Sequence, residues 1–158
     1  MTDPQLQAWP VDESSSFHRS EASTGIGHGD EVWERAVHDV LRWKVKTRSG
    51  FTVPDAQPVS PGMELTITAR VAGITVHEPV RVVSVIATGS RVGFSYRTLP
   101  GHPVDGEEAF IVHREVEDVF LTIRSLTRPA PQQPWRALYP LLRIAQQIAR
   151  RRYLSALR

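Results

Sequence analysis

The sequence predicts an α+β protein in which a curved antiparallel sheet of about six or more strands wraps around a long C-terminal helix. Apolar residues follow a helical spacing over residues 30–43, alternate with polar residues over residues 63–126, and return to a helical spacing from residue 134 onward. Short connections join the alternating segments, which favours antiparallel pairing of successive strands. The apolar face of such a sheet has to be covered, and a helix of about 19 residues, roughly 28 Å long, can cover it.

The first elements are an arm and a helix. Residues 1–24 are rich in Pro, Ser, Asp and Glu and show no sustained period, so we expect a loose N-terminal arm, followed by a single α+β domain over residues 25–158. Asp30 is a favourable N-cap for the helix that follows. The apolar stripe of this helix consists of Val32, Trp33, Ala36, Val37, Val40 and Leu41.

Turn residues divide the alternating segment into six predicted strands. They lie at roughly 63–71, 74–78, 80–87, 91–98, 107–114 and 119–126, with Glu78 and Pro79 as one of the dividing turns. The last helix is expected from about Pro134 to the chain end. Pro140 either begins its regular part or kinks it.

Composition excludes several classes of function. The chain has no cysteine, so it holds no disulfide, no thiolate metal site and no cysteine nucleophile. No apolar run approaches the ~20 residues of a transmembrane helix, and the N-terminus lacks the pattern of a secretory signal. We therefore expect a soluble, cytoplasmic protein. His28, His38, His77 and His113 lack metal-ligand spacing, so neither a metal site nor a cofactor is expected.

The most distinctive run covers residues 93–110, Gly-Phe-Ser-Tyr-Arg-Thr-Leu-Pro-Gly-His-Pro-Val-Asp-Gly-Glu-Glu-Ala-Phe. It resembles the signature of the DUF1990 family, also called UPF0548, in which Gly stands at the position of Arg97 and Glu at that of Val104. Further resemblance to the family lies at residues 25–27, 35–36, 41–43, 125–129, 152–154 and 156–157. The resemblance implies membership in an uncharacterised family.

The order of the elements is similar, more distantly, to the helix-grip fold of the Bet v 1-like superfamily, also called START-like or SRPBCC. This resemblance implies a cavity between the curved sheet and the last helix. Cavity sites are mostly apolar with a few placed polar groups. The resemblance therefore implies a hydrophobic, aromatic or lipid-like small molecule as partner. The candidate ligand-binding residues are Tyr96, Arg97, Thr98, His102, Arg128 and Trp135.

The segment from Leu99 to Pro103 is predicted to be a tight loop that its two prolines order in advance. His102 in this loop is a candidate acid/base or ligand-contacting group, because its ordinary pKa lies near neutrality. Glu107 and Glu108 alternate across the next strand, so only one faces the interior. The inward carboxylate has three candidate partners, which are Arg97, Arg124 and Arg128. The alternative role of His102 and the inward Glu is to tie the loop down by hydrogen bonds.

Two further functions stay open at this stage. The first is an enzyme that acts on the cavity ligand, with His102 and either Glu107 or Glu108 as acid and base. The second is an interaction protein, because residues 136–158 carry six basic and no acidic side chains and suit an anionic membrane surface. No nucleic-acid-binding motif accompanies this helix, so nucleic acid is not an expected partner. We expect the protein to be a monomer or a homodimer.

Overall fold

The sheet is the organising element of the fold. The structure is a computed structural model that describes residues 1–54 and 57–158, and over these ranges it contains seven strands and three helices. All strand pairs are antiparallel, and the strand order is β1-β7-β6-β5-β4-β3-β2. In chain order the elements are β1 (His18–His28), α1 (Asp30–Val40), α2 (Lys44–Thr47), β2 (Phe51–Thr52), β3 (Glu64–Val71), β4 (Ile74–Ala87), β5 (Arg91–Thr98), β6 (Val104–Glu115), β7 (Asp118–Pro129) and α3 (Trp135–Ser155).

The predicted α+β class and the curved antiparallel sheet with a long C-terminal helix are confirmed. One predicted turn is wrong, because Glu78 and Pro79 lie inside the continuous strand β4. The carbonyl of Pro79 accepts a hydrogen bond from the N–H of Leu99, so the backbone polar side of this residue faces the end of β5. The N–H that the proline lacks would point toward the end of β5, where strand pairing has already ended. No hydrogen bond to β3 is therefore lost.

The sheet also has an edge strand that the sequence analysis did not place. A loose arm is predicted over residues 1–24, whereas residues 18–24 belong to β1, which pairs with β7. Buried side chains in β1 are few, and Ile26 is the buried apolar one. The strand therefore lacks the apolar alternation that identifies a strand from sequence.

Residues 2–9 form a strap across the outer face of the sheet, which is the face opposite the helices. Arg124, which is 1% exposed, donates hydrogen bonds to the carbonyls of Asp3 and Gln7 at 2.7 and 3.0 Å. Arg91 donates to the carbonyl of Pro4 at 2.6 Å, and Thr2 and Trp9 are buried. These contacts are not those of a loose arm. A segment without secondary structure of its own stays in place because guanidinium groups satisfy its backbone acceptors.

The first helix is shorter than predicted. α1 ends at Val40, its N-cap is Gly29 rather than Asp30, and Trp43 adopts a left-handed conformation with φ 63° before α2 begins. The Trp43 ring packs edge-to-face on Phe94 with a centroid distance of 4.7 Å. This turn brings the short helix α2, and with it Lys46, onto the inner face of the sheet.

The last helix is a long cover that touches the sheet mainly through its end. It begins at Trp135, has 21 residues and includes Pro140, so the proline lies in the second turn rather than at the first helical position. Tyr153 is its one fully buried residue, and its ring packs edge-to-face on Phe110 at 5.3 Å. Leu141 and Ile144 stay exposed. The helix therefore stands away from the sheet along much of its length and leaves space beneath it.

Candidate functional site

The space between the inner face of the sheet, α2 and α3 is a cavity of about 380 Å³. Its apolar wall consists of Phe51, Ala69, Val71, Ala72, Val76, Pro103, Val104, Leu142, Ala145, Ile148 and Ala149. Its polar wall includes Lys46, Glu78, Tyr96, Thr98, His102, Glu108, Ser125, Thr127, Gln146, Arg150, Arg152 and Tyr153. The lining is thus mainly apolar, with hydrogen-bonding groups as the smaller share.

The centre of the polar wall is a bonded network around Lys46. Its ammonium group donates to the hydroxyl of Tyr153 at 2.7 Å and lies 3.3 Å from a carboxylate oxygen of Glu108. The same oxygen accepts a hydrogen bond from the hydroxyl of Tyr96 at 2.6 Å. Four elements contribute one residue each, namely α2, β5, β6 and α3. A buried charge is stable only when it is paired and hydrogen-bonded, and the network meets both conditions.

The network also fixes the protonation state of Lys46. Burial by itself lowers the pKa of this ammonium group, but Tyr153, Tyr96 and the nearby carboxylates raise it well above its ordinary value. Burial raises the pKa of Tyr96 and of Tyr153, so both keep their hydroxyl protons. Lys46 is therefore a permanent cation. A lysine in this state serves as a counter-ion and hydrogen-bond donor and is not a nucleophile.

Glu78 on β4 is the second carboxylate on the polar wall. Burial raises its pKa, Lys46 acts in the opposite direction, and Glu108 adds to the rise. Among the residues that the structure describes, none donates a hydrogen bond to its carboxylate. Glu78 thus differs from Glu108, which has two partners at the same wall.

His102 lines the cavity and is 7% exposed. Its Nδ1 accepts a hydrogen bond from the backbone N–H of Val104 at 3.0 Å, which places the ring proton on Nε2. Burial and the charge of Lys46 lower the pKa of His102 to about 3. The ring is therefore neutral at physiological pH. It holds the loop before β6 and presents an N–H, in agreement with the tying role that the sequence analysis left open.

Glu107 and Glu108 point to opposite faces of the sheet, as the alternation predicts. Glu108 faces the cavity, but its partners are Lys46 and Tyr96 rather than any of the three arginines considered from sequence. Glu107 accepts hydrogen bonds from the backbone N–H of Thr2 at 2.8 Å and from its hydroxyl. The carboxylate of Glu107 thus anchors the strap on the outer face.

Residues 4–156 match the profile of the family described as "Domain of unknown function (DUF1990)". The chain belongs to the DUF1990 family. The match begins at residue 4, inside the segment that the sequence analysis separated from the domain at residue 25. Among curated proteins, none matches this DUF1990 chain significantly.

Two solved structures with a similar fold come from a bacterium and a plant. The hypothetical protein jhp0584 from Helicobacter pylori has 15% identity and a TM-score of 0.58, with 99% of this chain and 96% of that chain covered. Major latex-like protein 151 from Panax ginseng has 16% identity and a TM-score of 0.50, with 87% and 99% covered. At these identities the likeness shows the fold alone. The DUF1990 chain has a helix-grip-like α+β fold similar to that of these two structures.

The structure gathers part of the residue set predicted for ligand binding. Tyr96, Thr98 and His102 line the cavity. Arg97 is exposed on the outer face, next to Glu107 in the strand register. Arg128 is exposed too and pairs with Asp105 at 2.6 Å.

Trp135, the last of the predicted ligand-binding residues, lies at the start of α3, beyond the cavity lining. In the part of the chain that the structure describes, no three His, Asp or Glu side chains converge to hold a metal ion.

The cavity residues missed from sequence include Lys46, Glu78 and Tyr153. Glu78 does carry a sequence signal. In the alternation of its strand it shares one face with Val76 and Val80, where an acidic side chain is unexpected. Lys46 and Tyr153 carry no such signal. They come from separate helices, and only the tertiary fold joins them.

Proposed function

We propose that this DUF1990 protein binds a small organic molecule with an apolar body and a polar end in the cavity between the sheet and α3. The observation that carries the proposal is the cavity itself, which has about 380 Å³ of space and an apolar wall beside a polar one. Such a volume falls in the range typical of small-molecule sites. The permanent charge pair of Lys46 and Glu108 and the two tyrosine hydroxyls orient the polar end.

The hydrophobic, aromatic or lipid-like ligand expected from the sequence fits the apolar wall, and the polar wall requires hydrogen-bonding groups on the ligand as well. Tyr96 and Thr98 in β5 and Ser125 in β7 contribute hydroxyl groups to the polar wall. Each hydroxyl already makes one hydrogen bond within the protein, and a ligand that covered its remaining bonding capacity without using it would lose that hydration without compensation. The ligand class is therefore amphipathic, with hydrogen-bonding groups on the side that faces the sheet.

Cavity binding is tested with a fluorescent apolar probe and a blocking variant. N-phenyl-1-naphthylamine should bind saturably with one site per chain. Ala149→Trp fills the lining and should weaken the binding about tenfold or more, whereas Ala137→Trp, at an exposed position on the same helix, should not. The absence of saturable binding, or equal binding by both variants, would overturn the proposal. If the probe binds as expected, mass spectrometry of the denatured protein, purified from its native host, would identify the natural ligand.

An enzymatic function with His102 and either Glu107 or Glu108 as acid and base receives no support from this geometry. His102 is neutral at working pH, and its Nδ1 is occupied by the backbone of Val104. Glu107 is bonded to the strap, and Glu108 is held in the network around Lys46. We therefore propose binding rather than catalysis.

A second candidate function rests on the exposed surface of α3. Leu141, Ile144 and Ile148 are 64%, 56% and 49% exposed and lie within one stretch of the helix. Although α3 covers the sheet, these three side chains lie in solvent. Arg143 and Arg151 lie on the same helix, and residues 136–158 contain no acidic side chain. Exposed apolar and basic groups together suit an anionic bilayer surface.

Ile148 and Val71 also line the cavity, so the exposed apolar surface continues to its opening. Within the described ranges, no helix combines the length and the hydropathy needed to cross a bilayer. Sedimentation with phosphatidylglycerol vesicles should show binding that falls as salt rises, and Ile144→Ser should weaken it. Equal binding to phosphatidylcholine vesicles, or no binding at low salt, would exclude the surface function.

A further inference from the structure

The unbonded carboxylate of Glu78 identifies the polar group of the ligand. We infer that Glu78 is the acceptor for a protonated amine, so that the cavity selects compounds with an apolar body and one cationic amino group. This inference rests on the proposed binding function and names its ligand class.

The first step concerns bonding. Lys46, Tyr96, Tyr153 and Glu108 satisfy one another in the network described above. Glu78 lies on the same wall and has no donor among the described residues. A carboxylate oxygen accepts up to two hydrogen bonds. Glu78 is half-buried, so water serves as its donor in the open cavity, and a ligand that displaced this water without donating a bond would be costly. The missing donor is therefore expected from the ligand.

The second step concerns charge. Lys46 and Glu108 neutralise each other at 3.3 Å, so an ionised Glu78 leaves one uncompensated negative charge at this end of the cavity. A cationic donor supplies the opposite charge and a charge-assisted hydrogen bond together, whereas a hydroxyl supplies only the bond. A carboxylate ligand would instead add a second repulsive charge.

The third step concerns the other charged groups around the cavity. Arg70 and Arg152 line it but are exposed, so water screens their guanidinium groups. Arg150 donates to the hydroxyl of Ser125 at 3.1 Å. His102 stays neutral above pH 5, because its pKa is about 3. Lys46 and Glu108 are thus the charges that act most directly on Glu78.

The experiment uses three probes with the same phenylbutyl body, which are 4-phenylbutylamine, 4-phenyl-1-butanol and 4-phenylbutyrate. Each displaces N-phenyl-1-naphthylamine from the wild-type chain at pH 7.5. We expect the amine to bind about 10–100 times more tightly than the alcohol, and the carboxylate to bind most weakly. Glu78→Gln keeps the shape of the side chain and should bring the amine to the level of the alcohol. Glu64→Gln, which removes an exposed carboxylate on β3, is the matched control and should keep the preference.

The pH dependence provides a second readout. Burial raises the pKa of Glu78, so its carboxylate form is gained as pH rises. The amine stays protonated over the range from pH 5 to 8, as alkylamines do. The preference for the amine over the alcohol should therefore increase with pH in the wild type and stay flat in Glu78→Gln. Lys46, Tyr96 and Tyr153 keep their protons over this range.

The outcomes separate the two proposals. If N-phenyl-1-naphthylamine does not bind, the proposed cavity function fails. If it binds but the alcohol or the carboxylate displaces it as well as the amine, the inference about Glu78 is wrong and the cavity function stands. A preference for the amine that survives in Glu78→Gln also refutes the assignment, since another group would then hold the cation. The melting temperature of Glu78→Gln, expected at or above that of the wild type, checks that the variant is folded.

Discussion

Replacement of His102 by Asn makes the pH dependence of stability a test of the loop structure. The pKa of His102 is lowered to about 3 in the folded chain, whereas an unfolded histidine takes up its proton near pH 6.5. Between these values the unfolded state binds more protons, so this contribution to stability is complete above pH 6.5 and is lost as the pH falls toward 3. The asparagine carbonyl still accepts the N–H of Val104 but does not titrate.

The size of the effect follows from the same two pKa values. Each pH unit in this interval corresponds to about 1.4 kcal/mol, so His102 should remove roughly 2–3 kcal/mol of unfolding free energy between pH 6.5 and 4.5. The assay is urea unfolding of both proteins at several pH values in this range. Because the other titrating groups are common to both proteins, the difference between the two curves isolates His102. Parallel curves would show that His102 is not buried in neutral form and would refute the reasoning.

Three further predictions concern the residues that hold the site and the sheet. Lys46→Met should lower the unfolding free energy by about 3 kcal/mol, because it leaves Glu108 without its cation, and the double variant with Glu108→Gln should recover part of this loss in urea unfolding. Arg124→Met should release the strap, so limited proteolysis should cut residues 2–9 faster than in the wild type, and equal rates would contradict the contacts described. Gly106→Ala should lower the melting temperature strongly, because its Cβ would overlap a backbone carbonyl of β7, whereas Gly89→Ala, with open space around it, should change it little.

The sequence predicts the sheet from β3 to β7 and both long helices, because these elements bury one apolar face and therefore show period two or period 3.6. β1 escapes prediction for the same physical reason. Its inward positions are small or polar, such as Ser20 and Ala22, so no alternation marks it. Pro79 misleads in the opposite direction, since a proline in mid-strand ordinarily marks a break and here faces the end of the neighbouring strand.

The candidate site could be predicted only where its residues come from one continuous segment. Tyr96, Thr98, His102 and Glu108 belong to β5, β6 and the loop between them, and the sequence motif contains them all. Lys46 and the other cavity residues from distant elements depend on strand register and on the turn at Trp43, which no local pattern specifies. Such long-range pairing is a property of the whole fold.

Apart from its buried residues Thr2, Pro4 and Trp9, the strap on the outer face is recognised through its main chain, and this limits what its own sequence has to specify. Arg91 and Arg124 bond to carbonyl groups, which every amino acid supplies, so the information that places the segment is stored on the sheet. Substitutions at exposed strap positions such as Gln5 or Ala8 leave these acceptors intact. The exposed positions of such a segment tolerate a linker-like composition, because the arginines of β5 and β7 determine where the segment lies.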